Sequence, residues 1–106
     1  MKIGIIGLGL MGGSMGLALK KVGQIQNKHI TRIIGYDKNP LHSQQALNLG
    51  LVDECVELKE IWQCDVVFLC VPVDGIISLM AELKEGELNP KTTLIDVGGA
   101  KVKISQ

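Results

Sequence analysis

The residues with a legible chemistry are Gly7, Gly9 and Gly12, in the run Gly7-Leu8-Gly9-Leu10-Met11-Gly12, and Asp37. Together they suit holding a phosphate chain and a sugar rather than breaking bonds. The run fits G-x-G-x-x-G, in which each glycine has its own task. Gly7 permits a tight turn, Gly9 lets a pyrophosphate approach the backbone, and Gly12 lets a helix lie close to a strand. Glycine makes up 13 of the 106 residues, so chance matches occur, and a ligand-free glycine turn is the plain alternative. Asp37 follows Gly12 at an offset near the ~20 residues at which an acid meets the adenosine ribose. A carboxylate there accepts hydrogen bonds from both ribose hydroxyls and repels a 2′-phosphate, which favours NAD over NADP. Lys38, next in the chain, partly offsets that repulsion. The plain alternative for Asp37 is a turn or helix-capping aspartate before Asn39-Pro40.

The elements needed to position these groups are legible too. Lys2–Ile6 is apolar, rich in isoleucine and too short for a helix, as a strand covered on both faces would be. Gly13–Lys21 has helix-compatible spacing, with Lys20 and Lys21 at the end where cations are favoured. A helix start offers free N–H groups and the positive end of its dipole to phosphates. Gly23 stops the helix, and Gln24–Ile30 reads as a polar surface connection. Thr31–Asp37 is the second strand. Asn39 and Pro40 mark a helix start with Asn as cap, and Gly50 its end; His42 falls in the first turn and is expected to be exposed. Leu51–Cys55 suggests a minor edge strand, and Glu57–Gln63 a helical turn or two with Trp62 packing on the sheet. Cys64–Pro72 is the clearest central strand, ended by Pro72. Asp74–Glu85 forms a helix with Ile76, Ile77, Met80 and Leu83 on one stripe. Thr92–Val97 is the last strand.

Alternating strands and helices with right-handed crossovers give an α/β, Rossmann-type doubly wound parallel sheet of order 3-2-1-4-5. Ligands then bind beyond the carboxyl ends of the strands. The residues expected at the nucleotide are Gly7, Leu8, Gly9, Leu10, Met11, Gly12, Asp37, Lys38, Val71, Pro72, Val73, Asp96 and Gly98, converging on one crevice.

Composition narrows the function classes. The 106 residues suit one domain, and 46% apolar content supports a core of isoleucine, leucine and valine, with only three aromatic residues. Eleven basic and eleven acidic residues cancel, and no basic run or aromatic ladder suggests nucleic acid. No apolar run approaches the ~20 residues of a membrane span, and Met1-Lys2 leads straight into the first strand, leaving no room for a signal peptide. Cys55, Cys64 and Cys70 are odd in number and without a C-x-x-C pair, as in reduced thiols of a cytoplasmic protein. Cys64 and Cys70 read as small core residues. His29 and His42 are not spaced as metal ligands, and no catalytic residue is assigned within the chain.

In these motifs the chain resembles the prephenate dehydrogenase family. The resemblance rests on GLGLMGGSMGLALK (Gly7–Lys20), IIGYDKNP (Ile33–Pro40), ALNLGLVDE (Ala46–Glu54), CVPVD (Cys70–Asp74) and LIDVGGAKVKI (Leu94–Ile104). It implies oxidative decarboxylation of prephenate, or of its amino analogue arogenate, with NAD as hydride acceptor, in tyrosine biosynthesis. It also implies that the catalytic histidine, the substrate-binding arginines and a helical dimerisation domain lie beyond Gln106. The chain is then the nucleotide-binding part of a longer homodimeric enzyme, ending before the sixth strand and inactive alone. The family's usual D-x-G-S-x-K segment reads Asp96-Val97-Gly98-Gly99-Ala100-Lys101 here, so the serine hydroxyl is absent at Gly99. Three other readings stay open: a related β-hydroxyacid or imine dehydrogenase, a stand-alone nucleotide sensor, and an interaction fold that has lost its cofactor.

Overall fold

The computed structural model describes residues 1–97. Its sheet is built from β1 (Lys2–Ile6), β4 (Arg32–Tyr36), β5 (Glu54–Cys55), β6 (Val66–Leu69) and β7 (Thr93–Asp96). These five lie in the order β5-β4-β1-β6-β7, every neighbouring pair parallel. Counted by themselves they follow the expected 3-2-1-4-5 order. Helices α1 (Leu10–Val22), α2 (Pro40–Asn48), α3 (Leu58–Ile61) and α4 (Val73–Glu82) make the crossovers.

The alternation of side chains along each strand divides the core between two faces. Ile3, Ile5, Ile33 and Phe68 pack with Leu8, Leu19 and Ala46 on the side of α1 and α2. Ile6, Ile34, Val67 and Leu69 pack with Ile61, Trp62 and Ile76 on the side of α3 and α4. Each face is thus closed by helices, which explains the unbroken apolar runs of β1 and β6.

Several boundaries differ from the sequence expectation. α1 begins at Leu10 rather than Gly13, because Gly9 is already its extended N-cap. The second half of the glycine run is therefore helix. Gln24–Ile30 is not a plain connection: β2 (Gln24–Ile25) and β3 (Lys28–His29) pair as an antiparallel hairpin. Its turn needs φ of +49° at Gln26 and +66° at Asn27, a conformation that Gln-Asn does not advertise. β6 ends at Leu69, and Pro72 serves as the N-cap of α4. On α4 the inward residues are Ile76, Leu79, Met80 and Leu83, spaced as one helical face. Ile77, expected on that stripe, is 61% exposed.

Asn39 caps α2 as expected, its side chain accepting the Leu41 N–H at 2.9 Å, with Pro40 in the first turn. Gly50 takes φ +69° just past that helix. Thr92 is the one polar residue buried in the described core, and its hydroxyl donates to the Cys64 carbonyl at 2.6 Å.

Candidate functional site

The site forms where β1, β4 and β6 end. The chain leaves β1 through Gly7 at φ +94°, and the Gly7 N–H donates to the Tyr36 carbonyl at 2.8 Å. A Cβ on Gly7 would stand 2.5 Å from the Cys70 carbonyl oxygen and 2.7 Å from Val71 Cγ1. Only glycine fits between these strand ends. A Cβ on Gly12 would overlap the Gly7 carbonyl oxygen, and one on Gly16 would overlap the Leu51 carbonyl oxygen. So α1 lies backbone against backbone on the loop that precedes it at Gly12, and on the segment after α2 at Gly16. Gly9 differs: a Cβ there would meet only His42, 3.8 Å from Cε1. No backbone atom crowds that side, which the His42 ring alone covers at ordinary van der Waals distance. No side-chain hydrogen bond caps α1, and no acidic residue of its own lies in its first turn.

Asp37 faces this loop. Its Oδ2 accepts the Leu8 N–H at 2.7 Å, and its Oδ1 accepts the Asn39 N–H at 2.8 Å. His42 Nδ1 lies 3.0 Å from Oδ2. The Asp37 side chain is only 10% exposed. Burial alone would raise its pKa, but the hydrogen bonds from Asn39 and Leu8, with His42, outweigh that and hold the carboxyl below its ordinary range. It is a pre-set anion beside a glycine loop.

Beyond the strand ends opens a crevice of about 350 Å³. Gly7, Asp37, Lys38, Val71 and Pro72 line it, together with Tyr36, Leu58 and the α4 residues Asp74, Gly75, Ser78, Leu79 and Glu82. Five of the expected residues thus converge. Leu8 and Gly9 border a second groove of about 360 Å³ on the α2 side of Asp37, along with His42. The Leu8 side chain is buried in the core, so what Leu8 offers the site is its N–H. Leu10 and Met11 supply the first turn of α1. Gly12 shapes the loop from inside the helix.

Val73 and Asp96 are not brought into the crevice wall. Val73 begins α4 and is 48% exposed, because the helix turns its inner face at Gly75 and Leu79 instead. Asp96 ends β7, one strand further from the switch point than β6. The expectations for Gly98, Gly99 and Lys101 fall outside the described residues.

Sequence reasoning missed His42, Leu58 and the Asp74-Ser78-Glu82 wall. The wall's four-residue spacing on a helix was a readable signal. For His42 the signal lay in the Asn39-Pro40 cap, which fixes the register of α2; the ring is 42% exposed and paired rather than free.

Cys70 is inert: burial first, then nearby Asp96, pushes its thiol up to about 12, and burial pushes Cys64 up to about 11. Both stay protonated and weakly nucleophilic at neutral pH. Among the described residues no cluster of His, Cys, Asp and Glu could hold a metal, and no helix is long and apolar enough to cross a membrane.

A parallel sheet wound on both faces, with a glycine turn and a carboxylate at its switch point, defines a dinucleotide-binding domain. Residues 15–106 match the family model described as prephenate dehydrogenase, nucleotide-binding domain, and the chain belongs to that family. It is 31% identical over 102 residues to the prephenate dehydrogenase of Bacillus subtilis, covering 94% of this chain and 26% of that protein. Among solved structures, Synechocystis arogenate dehydrogenase matches with a TM-score of 0.75 and 31% identity, over 92% of this chain and 32% of its own. Prephenate dehydrogenase from A. aeolicus, in complex with hydroxyphenyl propionate and NAD+, matches with a TM-score of 0.74 and 29% identity, over 91% and 32%. The chain spans about a quarter of the length of the curated relatives it matches.

Proposed function

We propose that this chain is the NAD-binding domain of a prephenate dehydrogenase, acting in tyrosine biosynthesis in the cytoplasm. The whole protein would be a homodimer that oxidises and decarboxylates prephenate to 4-hydroxyphenylpyruvate. Family membership supports the reaction, and three free cysteines suit a reducing compartment. The single observation that carries the cofactor reading is the meeting of Asp37 with the Gly7–Gly9 loop through the Leu8 N–H.

The residues present fit the nucleotide. The uncrowded backbone at Gly9, bordered only by the His42 ring, and the uncapped start of α1 suit the pyrophosphate. Asp37 suits the ribose hydroxyls. Leu58, Val71, Pro72 and Leu79 supply apolar walls of the crevice for the adenine. NAD, when bound, supplies the acceptor for the substrate's hydride. The chain's own residues bind and orient; the proton-transfer and substrate groups belong to the rest of the enzyme.

Calorimetric titration of the chain with NAD and NADP tests this. Saturable binding with NAD preferred is the expected result; binding of neither overturns the assignment. Arogenate is a second reading of the substrate, favoured by the equally good match to an arogenate dehydrogenase. Turnover of the two substrates by the full-length enzyme decides between them.

A further inference from the structure

We infer that His42 sets how strictly the ribose end of the crevice refuses a 2′-phosphate. The inference rests on the reading of Asp37 as the ribose acceptor. The Asn39 cap and Pro40 place His42 in the first turn of α2, where its Nδ1 reaches Asp37 Oδ2 at 3.0 Å. A carboxylate only accepts, so Nδ1 carries the proton of this bond and Nε2 is left free to face elsewhere. The same ring covers Gly9, its Cε1 3.8 Å from where a Cβ would be. One imidazole therefore borders both the carboxylate and the glycine surface that a nucleotide would approach.

An ionised carboxylate offers about four acceptor positions. Leu8, Asn39 and His42 occupy three of them at Asp37. The two backbone donors are fixed by the fold, whereas His42 is a side chain that can yield its position to a ribose hydroxyl. A 2′-phosphate brings a charge of about −1.5 to −2 into this corner. It is opposed by Asp37 and helped by Lys38 in the crevice, and the bond from His42 Nδ1–H to Oδ2 tempers the opposition of Asp37. Removing His42 leaves the Asp37 charge less compensated. NADP then loses more than NAD, which carries no charge at that position.

The test is calorimetry on the full chain with NAD, and displacement of NAD by NADP, for wild type, His42→Ala, His42→Gln and Asp37→Ala. A half-exposed pair supports an effect of a few-fold. The NADP-to-NAD affinity ratio is expected to fall about five-fold in His42→Ala and about two-fold in His42→Gln, which keeps a side-chain N–H donor. NAD affinity itself holds or rises. An unchanged ratio in both variants, with NAD binding still lost in Asp37→Ala, overturns the role of His42 alone. Unchanged NAD binding in Asp37→Ala overturns the ribose reading and the inference with it. Should His42→Ala fail to fold, as a thermal melt would show, His42→Gln decides.

Discussion

At the amino end of the sheet, Asp53 accepts the Ile33 N–H at 2.8 Å and pairs with Lys20 at 3.1 Å. At the carboxyl end, Asp37 accepts the Leu8 and Asn39 N–H groups and meets His42. Both carboxylates satisfy strand or loop donors, and both titrate below their ordinary range despite the opposing effect of burial. Their surroundings differ. Asp53 is 38% exposed and borders a recess that also carries Lys20 and Arg32, so its charge is already answered by cations. Asp37 is far less exposed and borders a crevice lined by Gly7, Leu58, Val71, Pro72 and Leu79. The same bond joins elements at both ends, but only at the carboxyl end does the carboxylate border a crevice with apolar walls among its lining.

The largest effect expected at the carboxyl end comes from Gly12→Val. Its side chain must displace the Gly7 carbonyl, which is backbone and cannot give way, so about 3 kcal/mol or more of stability should be lost in urea unfolding. Asp37→Ala should weaken NAD by about 2 kcal/mol, roughly thirty-fold, and narrow the gap to NADP. Asp53→Ala should leave NAD affinity within about two-fold and lower stability by about 1 kcal/mol. Equal losses of NAD affinity in these two variants would break the contrast between the ends.

The pH dependence of folding treats both ends alike. A carboxyl whose folded pKa is depressed adds stability above its unfolded pKa, about 3.9. That stability disappears as pH falls through the folded value. Urea midpoints should therefore be flat near neutrality and drop below about pH 4. Asp37→Asn and Asp53→Asn should each flatten the drop, and a drop unchanged in both would remove these residues from the acid transition. The smallest effect belongs to the amino-end hairpin. Gln26→Gly relieves a left-handed conformation and should add about 0.5 kcal/mol with no change in nucleotide affinity.

Sheet order, the Asn39 cap and the convergence of Gly7, Asp37, Lys38, Val71 and Pro72 were all readable, because each depends on local pattern and a known winding rule. The β2–β3 hairpin was not, since its turn needs positive φ at two successive residues, which Asn27 tolerates but Gln26 does not favour, and its strands are only two residues long. His42 was misjudged for a related reason. A helix's first turn looks solvated in sequence, and its partner Asp37 comes from the preceding strand end. The exposure of Ile77 beside buried Ile76 reflects helix phase, which adjacent isoleucines leave ambiguous.

The seat of Gly12 on the Gly7 carbonyl oxygen has a practical consequence for redesign. On that side of the nucleotide site the wall is main chain on main chain, so it cannot be reshaped by exchanging side chains. On the other side the wall is side chain: Asp37, which also ties the Leu8 and Asn39 N–H groups, and Lys38 and His42, which hold no backbone group of a helix–strand junction. Efforts to switch cofactor preference in this protein therefore have one side to work on, and libraries should leave the glycines untouched.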